Sequence, residues 1–492
     1  MLNRSLAILA AIAVGLCAVG ILLGAAPVSL KITAVLIALL AATRTGDALV
    51  IVAALAPLGG ALAALSGSPR SWSIPLVLAL LFGAAVGRAV RPGASRDWPA
   101  FGAATAWIGL VVASLLTQLW TALQLSPVRS LFVRQFVHWL THEFPMTAIG
   151  AYGQVEPAVL AAGGAALFAL TATLCRSDTR VAATVTSAVL LSVAAVGLLN
   201  VNRLIEIALR YPPFLTSLSE FHHRLRISAM FADVNAAGAL FLLVLPAAFG
   251  ALADRRRRWL GIVTIPPLVA GLWLAGSRSA LVLLPISLSL LIILRARGTW
   301  PVPGRRWIAP ALLGSLVVVC ALVIAFYPRT RAHTTAADAI EIRGDLVTTT
   351  VRMVRAHPLQ GIGIGSYYRS SPRFMPERLR HHYRAQNAHN QFLQVLGELG
   401  IAGFGAFAAL LIVGYGPALQ RLRRTPPDAL FVGLAIGVGS FLLVSLGMHP
   451  LLIPEVAIPF YIALGLTRAA GRGALAARAD DTKLTRALPV GS

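Results

Sequence analysis

The stretch that decides the fold is HNQFLQVLGELGIAG, which runs from His389 to Gly403. It starts at the end of a long polar segment, residues 328–390, and opens an apolar run that ends near residue 416. A run of this length can cross the roughly 30 Å apolar core of a bilayer as a helix. The sequence therefore predicts a membrane helix with a His-Asn pair, His389 and Asn390, at its mouth, where water and lipid meet.

Composition extends this prediction to the whole chain. Of its 492 residues, 57% are hydrophobic and 12% are charged, whereas about 25% are charged in a soluble globular protein. Because a bilayer core admits only helices and closed barrels, we predict an all-α polytopic membrane protein with about 12–14 transmembrane helices and a large outer loop that contains short helices. The predicted spans fall at about residues 5–24, 28–43, 46–65, 73–90, 99–121, 156–174, 181–199, 236–252, 259–275, 279–295, 307–327, 391–416, 428–447 and 451–468.

The arginine distribution predicts the orientation of these helices. The net charge is +24, from 42 basic and 18 acidic residues, and the basic residues cluster in every second short connection and in the tail after Leu466. Since short cytoplasmic connections are enriched in Lys and Arg, we expect both termini in the cytoplasm. Segments 122–155, 200–235 and 328–390 then lie on the outer face, and all ten histidines fall in outer segments or turns.

The outer loop 328–390 is the most basic of these segments. It carries ten arginines against four acidic residues, which indicates an anionic ligand. Attraction to anionic lipid headgroups is the alternative interpretation. The three cysteines lie far apart, and no Cys/His spacing is typical of a zinc site, so we expect no metal.

Two basic elements flank the middle spans. Arg226 precedes the span that opens at Asn235. Residues 259–295 would form about 55 Å of helix, which is too long for one crossing. They must therefore fold back at their only hydrophilic break, GSRS, and this tight turn holds Arg278 at the membrane edge.

The third basic element is residues 343–365. A helix is predicted from Asp345 to about Ala356, ended by Pro358. Its apolar face would consist of three valines, and two of its arginines would project together; these residues are Val347, Val351, Val354, Arg352 and Arg355. The glycines that follow permit close approach of the backbone to a ligand; they are Gly361, Gly363 and Gly365.

Four motifs carry a resemblance to a known family. RISAMFADVNAAG, GSRSAL, AHPLQGIGIGSY and HNQFLQVLGELGIAG occur here in the order seen in the O-antigen ligase and polymerase superfamily. Residues 220–415 resemble that superfamily and form a ligase-like core. We divide the rest into an N-terminal transmembrane bundle (1–219) with an interfacial outer helix near 127–144, C-terminal transmembrane helices (416–470) and a disordered cytoplasmic tail (471–492).

The resemblance implies a GT-C-like fold and a reaction. Proteins of this superfamily take a glycan from an undecaprenyl-diphosphate carrier at the outer face of the bacterial inner membrane. They join it to an acceptor sugar as inverting glycosyltransferases, without a metal or another cofactor. The acceptor is lipid A core in lipopolysaccharide ligases and a growing polysaccharide in polymerases. This chain departs from the ligases in its larger number of predicted spans, so the acceptor stays open.

The chemistry of that reaction suits the residues of the outer face. Displacing a sugar from a diphosphate develops negative charge on the leaving group, which paired guanidiniums can stabilise. We assign this role to Arg226 and Arg278, and we assign activation of the acceptor hydroxyl to His389 as general base. Glu398 would lie about 12 Å deeper along the helix and is given a structural role. The residues expected to bind substrate are Arg343, Arg352, Arg355, Asn235 and Asn390.

Two other interpretations stay open. His389 and Asn390 could simply cap the helix, which would leave His389 without a catalytic role. A lipid-linked glycan flippase, a protein of another class, would also need outer arginines. Charged or broken helices at mid-membrane would be expected in a transporter, whereas the centres of the predicted spans here are uncharged apart from Glu398 and Glu455.

Overall fold

A computed structural model describes most of the chain, with gaps. The predicted spans 5–24 (apart from a few positions) and 307–327, the interfacial helix near 127–144 and Arg226 lie outside the described residues. The described ranges are 26–68, 70–90, 97–125, 155–211, 227–229, 233–296, 336–424 and 428–487, with a few positions between 8 and 18.

The described part of the chain is built of helices and contains no strand. Eight of its helical segments are long and apolar enough to cross a membrane, and three more apolar helices are shorter. The protein is therefore an all-α polytopic membrane protein, as predicted. The helices are α1 (Val28–Thr43), α2 (Thr45–Leu55), α3 (Gly59–Ser66), α4 (Ser73–Val90), α5 (Trp98–Leu125), α6 (Val155–Ser177), α7 (Thr179–Arg210), α8 (Val234–Leu252), α9 (Arg258–Ala275), α10 (Arg278–Ala296), α11 (Ala336–Ala356), α12 (Tyr367–Phe374), α13 (Glu377–His382), α14 (Gln391–Arg424), α15 (Ala429–Val444) and α16 (Pro454–Ala487).

The central helix is α8, which packs against α7, α9, α10 and α15. Every side chain from Ala236 to Ala248 is buried. Helix α15 approaches α8 closely because Gly437 lies against a backbone carbonyl, and a Cβ added there would sit 2.0 Å from the oxygen of Leu243. Small residues allow such close helix contacts within a membrane. The end of α8 that begins at Val234 is thus fixed in the middle of the bundle.

The predicted fold-back between the ninth and tenth spans is confirmed. Helix α9 ends at Ala275, Gly276 adopts the left-handed conformation with φ 60°, and α10 begins at Arg278. The amide of Gly276 donates to the carbonyls of Leu272 and Trp273. A left-handed glycine is a common way to satisfy the last carbonyls of a helix. Two residues therefore suffice for the turn, and Arg278 opens the next helix.

The described part of the outer loop, residues 336–390, contains three helices, α11, α12 and α13, but the predicted apolar face of α11 is wrong. Val347 and Val351 are 44% and 40% exposed, and the buried stripe instead contains Leu346, Met353 and two threonines. Those threonines donate their hydroxyl groups to backbone carbonyls one turn earlier, which removes the cost of burying them. Helix α11 also begins at Ala336, nine residues before the predicted start, although it ends before Pro358 as expected.

Helix α14 is broken at Gly400, where φ is 64° and ψ is −164°. In a continuous helix the amides of Ile401 and Ala402 would bond to the carbonyls four residues earlier. Here they donate to Pro358 O at 2.9 Å and Leu359 O at 3.3 Å. The carbonyls left free, of residues 397 and 398, accept from the amides of residues 362 and 363 at 3.0 and 2.8 Å. Residues 358–363, called the docked segment below, are thus inserted into the break.

Helix α16 carries a buried arginine and extends far along the C-terminal region. Arg468, one of the basic residues after Leu466, is 1% exposed and pairs with Asp97 through Nη2–Oδ1 at 2.5 Å and Nε–Oδ2 at 2.7 Å. The helix also continues to Ala487 through most of the segment predicted to be disordered, residues 471–492. That segment is rich in alanine, the residue with the strongest intrinsic preference for helix.

Candidate functional site

His389 stands at the mouth of α14 in a strained backbone conformation. Its φ is 48°, and it is the only residue other than glycine with a positive φ in the described part of the chain. Such a conformation costs on the order of 1–3 kcal/mol and persists only where the surroundings impose it. Asn390 imposes it from one side, since its Oδ1 caps the helix by accepting from the amides of Phe392 and Leu393 at 2.9 and 3.1 Å.

The turn that joins α15 to α16 also holds the start of α14 in place. The Asn390 Nδ2 donates to Leu446 O at 2.9 Å, and the Gln391 amide donates to Ser445 O at 2.9 Å. In return, the Leu451 amide donates to Gln391 Oε1 at 3.1 Å. The start of α14 and this turn are therefore held together by three hydrogen bonds across a large separation in sequence.

The same turn places His449 against His389. The two ring centroids lie 5.1 Å apart with an interplanar angle of 60°. His449 is 4% exposed, and its Nδ1 is buried without a hydrogen-bond partner among the described residues. Burial, with a smaller effect of His389, lowers the pKa of His449 to about 3. His449 is therefore a neutral ring at neutral pH, and it shields one side of His389 from water.

Two helices, α8 and α11, contribute to the electrostatic environment of His389. Burial lowers the pKa of His389 below its usual value, Asp233 at the start of α8 opposes this, and Arg343 on α11 lowers the pKa further. Burial is the largest cause of the lowered pKa, and the two charged side chains have smaller effects. The imidazole is thus neutral at neutral pH, which a general base requires.

Arg278 lies at the same end of the bundle as Asp233. Ser277 is buried against Gly238 of α8, where an added Cβ would lie 2.3 Å from the Ser277 Cβ. Gly238 is five residues after Asp233, about 7.5 Å along the helix axis. Arg278 itself is exposed, at the first position of α10. Arg226 is not described, but the amide of the next residue, Ile227, donates to Leu274 O at 3.0 Å, next to this turn.

The three predicted binding arginines of α11 are all exposed, but they do not form one cluster. Arg343 and Arg355 are twelve residues apart, or about 18 Å along the helix, and Arg343 is the one that influences His389. Arg352 donates to Phe374 O at 3.2 Å. Two acidic residues of α11, Glu341 and Asp345, both form ion pairs with Arg378 of α13.

The two predicted binding asparagines differ in their surroundings. Asn390 uses its Oδ1 and Nδ2 to bond to the protein, as described above. Asn235 is partly buried in the first turn of α8, and its backbone amide donates to the Oδ1 of Asp233, the N-cap of the helix. Of the two, Asn235 is the one whose side chain makes no hydrogen bond to a described residue.

The backbone at Gly361 and Gly363 packs closely against other parts of the protein. A Cβ at Gly361 would lie 2.4 Å from the backbone of Glu398, and one at Gly363 would lie 2.4 Å from Gln118 of α5. Gln118 also donates to Ile364 O at 3.2 Å. The amides of residues 361–367 all have protein partners: His357 O, Gly397 O, Glu398 O, Ser114 Oγ, the Glu398 side chain, Gly363 O and again the Glu398 side chain.

Sequence reasoning missed two residues beside His389. Asp233 precedes a helix, and an aspartate at that position is ordinarily interpreted as a cap. His449 lies in a short apolar turn, and nothing near it in sequence indicates a partner. The signal that could have found it is a histidine beside a proline in an otherwise apolar turn between two predicted spans.

Comparison with protein families confirms the resemblance for part of the chain. Residues 267–408 match the family model described as O-antigen ligase. The matched stretch begins later than the predicted residue 220, and it contains Arg278, the arginines of α11 and His389. Asp233 and His449 lie outside it. A comparison with curated proteins found no match to this chain.

Proposed function

We propose that this protein transfers a glycan from an undecaprenyl-diphosphate carrier to an acceptor sugar, in the manner of an O-antigen ligase. The O-antigen ligase domain at residues 267–408 supports a role in glycan transfer within a membrane. The observation that carries the finer proposal is His389, a neutral imidazole in an imposed backbone conformation beside Arg343 and Asp233.

The proposed reaction is a single displacement at the anomeric carbon. The acceptor hydroxyl attacks that carbon, and its proton passes to His389. The bond between the anomeric carbon and the diphosphate oxygen breaks, and undecaprenyl diphosphate leaves with the electron pair. Inversion follows from attack on the face opposite the leaving group.

Arginines supply the charge that the leaving group needs. Arg278 sits at the start of α10, where the helix dipole adds partial positive charge. Arg343 is placed to act near His389, and Arg226 is the further candidate. Arg352 and Arg355 lie too far along α11 to grip the same diphosphate as Arg343 directly, so we assign them to more distant parts of the donor or acceptor.

The flippase alternative is weakened by the way α14 is broken. Broken helices in transporters expose backbone groups to a substrate cavity. At Gly400 the freed carbonyls and amides are all bonded to the docked segment, which leaves none for an ion or a substrate. Polymerisation of repeat units stays the alternative within the same superfamily, since the acceptor is not determined by these residues. We place the protein in the bacterial inner membrane with both termini in the cytoplasm.

The test is transfer by the purified protein from an undecaprenyl-diphosphate-linked glycan, with donor binding measured in parallel. We expect His389→Gln to lower the turnover number by about 10²- to 10⁴-fold with little change in donor affinity. Arg278→Ala should abolish most transfer and Arg278→Lys should restore little of it, because an ammonium cannot replace a bidentate guanidinium. His381→Ala, which changes an exposed histidine of α13, is the matched control.

Supplying either lipid A core or a second lipid-linked repeat unit separates ligase from polymerase. Near wild-type transfer by His389→Gln would refute the assignment of the base. Retained transfer by Arg278→Ala would refute the assignment of the leaving-group site.

A further inference from the structure

Glu398 is a buried carboxylate whose partners are all donors. It is 3% exposed and lies in α14, two and a half turns after His389 at about 3.6 residues per turn. It accepts from the Tyr367 amide at 3.3 Å, from the Gly365 amide and from Gln394 Nε2 at 2.8 Å. Two of these donors belong to the chain that follows the docked segment. Glu398 therefore fastens the outer loop to α14.

Gln394 continues this connection towards His389. It is 2% exposed and lies between Glu398 and the chain that enters α14. Its Oε1 accepts from the amide of Ala388 at 3.0 Å, and its Nε2 also contacts Asn387 Oδ1 at 3.3 Å. A continuous chain of buried hydrogen bonds thus leads from the outer loop, through Glu398 and Gln394, to the residue directly before His389.

We propose that Glu398 and Gln394 are positioning residues for His389, which hold the backbone on its N-terminal side while Asn390 holds the C-terminal side. The inference deepens the proposed function and depends on it for the role of His389. A strained φ needs restraint on both sides of the residue. Ala388 is restrained by Gln394 and Asn390 is restrained by its cap, so the imidazole is fixed between two anchored neighbours.

The residue types fit this task. A carboxylate offers only acceptors, and an amide side chain offers both donors and acceptors. Glu398 can therefore receive all three donors, whereas a glutamine at 398 would turn an amide donor towards another donor. Gln394 needs both functions, because it donates to Glu398 and accepts from Ala388. The order Gln394, then Glu398, cannot be reversed without loss.

Gln394→Met tests the connection with little change in size. It removes the bond to Ala388 but leaves Glu398 bonded to the outer loop. We expect the turnover number to fall by about 10- to 100-fold, as for other small misplacements of a reacting group, with donor affinity unchanged. Gln118→Met is the matched control, since Gln118 also bonds to the outer loop but makes no bond to residues 387–390. It should retain transfer.

A second measurement does not depend on transfer. The rate of carbethoxylation of His389 by diethyl pyrocarbonate, followed by peptide mass spectrometry, reports the placement and exposure of the imidazole. Gln394→Met and Glu398→Gln should change this rate, and Gln118→Met should leave it as in the wild type. An unchanged rate at His389 in both variants would overturn the inference.

Exchanging residues 394 and 398 tests whether the hydrogen bond between them can be restored. Gln394→Glu alone places two carboxylates together, while Gln394→Glu with Glu398→Gln restores one donor–acceptor pair and keeps an acceptor for Ala388. We expect the double variant to transfer faster than Gln394→Glu, and no recovery would count against the hydrogen-bond chain. If the wild-type protein transfers no glycan, the proposed function fails, and if His389→Gln retains transfer, the assignment of the base fails. In either case carbethoxylation still decides whether Glu398 and Gln394 position the ring.

Discussion

At the scale of single residues, His389 and Asn390 have different roles. Asn390 uses its side chain to cap α14 and to bind the α15–α16 turn. The capping interpretation therefore accounts for Asn390 and for part of the strained backbone at His389, but it gives the partly buried imidazole of His389 no role. A neutral imidazole between Asp233, Arg343 and His449 is what the general-base assignment needs.

The pH dependence of transfer is the prediction that belongs to this scale. The acidic limb of kcat/KM should reflect His389 and should inflect below its usual pKa of 6.5, since burial lowers that pKa. Asp233 stabilises the imidazolium, so Asp233→Asn should move the limb to lower pH. Arg343 destabilises it, so Arg343→Ala should move the limb to higher pH. The two shifts should therefore have opposite signs, as expected for an acidic and a basic neighbour of one imidazole.

Asp233→Asn removes the negative charge but keeps the N-cap of α8, because asparagine also caps helices well. Arg373→Ala, at an exposed position on α12, is the control and should leave the limb in place. Shifts of the same sign in Asp233→Asn and Arg343→Ala would contradict the assignment of the limb to His389.

At the scale of secondary structure, the break in α14 and the glycine run form one unit. Two bonds of a regular helix are replaced by four bonds to the docked segment. Gly400 and Gly361 both have positive φ, 64° and 65°, and each would drive a Cβ into the backbone of the other element. The outer loop is thus attached to a membrane helix through main-chain bonds, which side-chain motifs do not reveal.

We predict that Gly400→Ala releases the docked segment. The variant meets both a strained φ, at a cost of about 1–3 kcal/mol, and a Cβ 2.5 Å from Leu359 C. Amide hydrogen exchange of Ile362, Gly363, Ile401 and Ala402 should accelerate, and transfer should fall. Gly405→Ala in the same helix meets nothing within 4 Å and should be neutral or up to about 1 kcal/mol more stable. Equal exchange in both variants would show that the break does not depend on Gly400.

At the scale of the whole molecule, one buried ion pair links two residues 371 positions apart in the sequence. Asp97 precedes α5 and Arg468 lies in α16, and both side chains are almost fully buried. Arg468 Nη1 also donates to the carbonyl of Val413 in α14. Three helices that are far apart in sequence therefore meet at Arg468. Two of them, α5 and α14, also contact the outer loop near Gly363 and Gly400.

We predict that breaking this pair destabilises the bundle. Asp97→Asn or Arg468→Met should each cost about 3–5 kcal/mol, because each leaves an unpaired buried charge. The double variant should lose less than the sum of the two single losses, since residues in contact are not additive. Thermal unfolding of the purified protein in detergent measures this. Additive losses would indicate that the two side chains do not interact in the folded protein.

Much of the fold could be predicted from the sequence because membrane insertion depends on local properties. The length and hydropathy of a run decide whether it crosses a bilayer, and the twelve predicted spans within the described residues coincide with helices. The reversal at GSRS followed from the length of the run and from its only hydrophilic break. Placing His389 at the mouth of α14 followed from the border between polar and apolar sequence.

The buried face of α11 could not be predicted from its apolar residues, because it includes two threonines. Their hydroxyl groups donate to carbonyls of the same helix, which allows these polar side chains to be buried. The partner of the glycine run could not be predicted either. Glycines in a sequence indicate that another group lies close to the backbone, but only the packing of α5 and α14 around the loop determines which group that is.

The sequence by itself thus determined the fold class, most helix positions and the place of His389 at the end of a span. Only the tertiary structure decided which groups surround that histidine. Asp233, Arg343 and His449 come from α8, α11 and the α15–α16 turn, and Glu398 and Gln394 act through backbone amides. Hydropathy acts along the chain, whereas burial, pKa and hydrogen-bond partners depend on neighbours that only packing brings together.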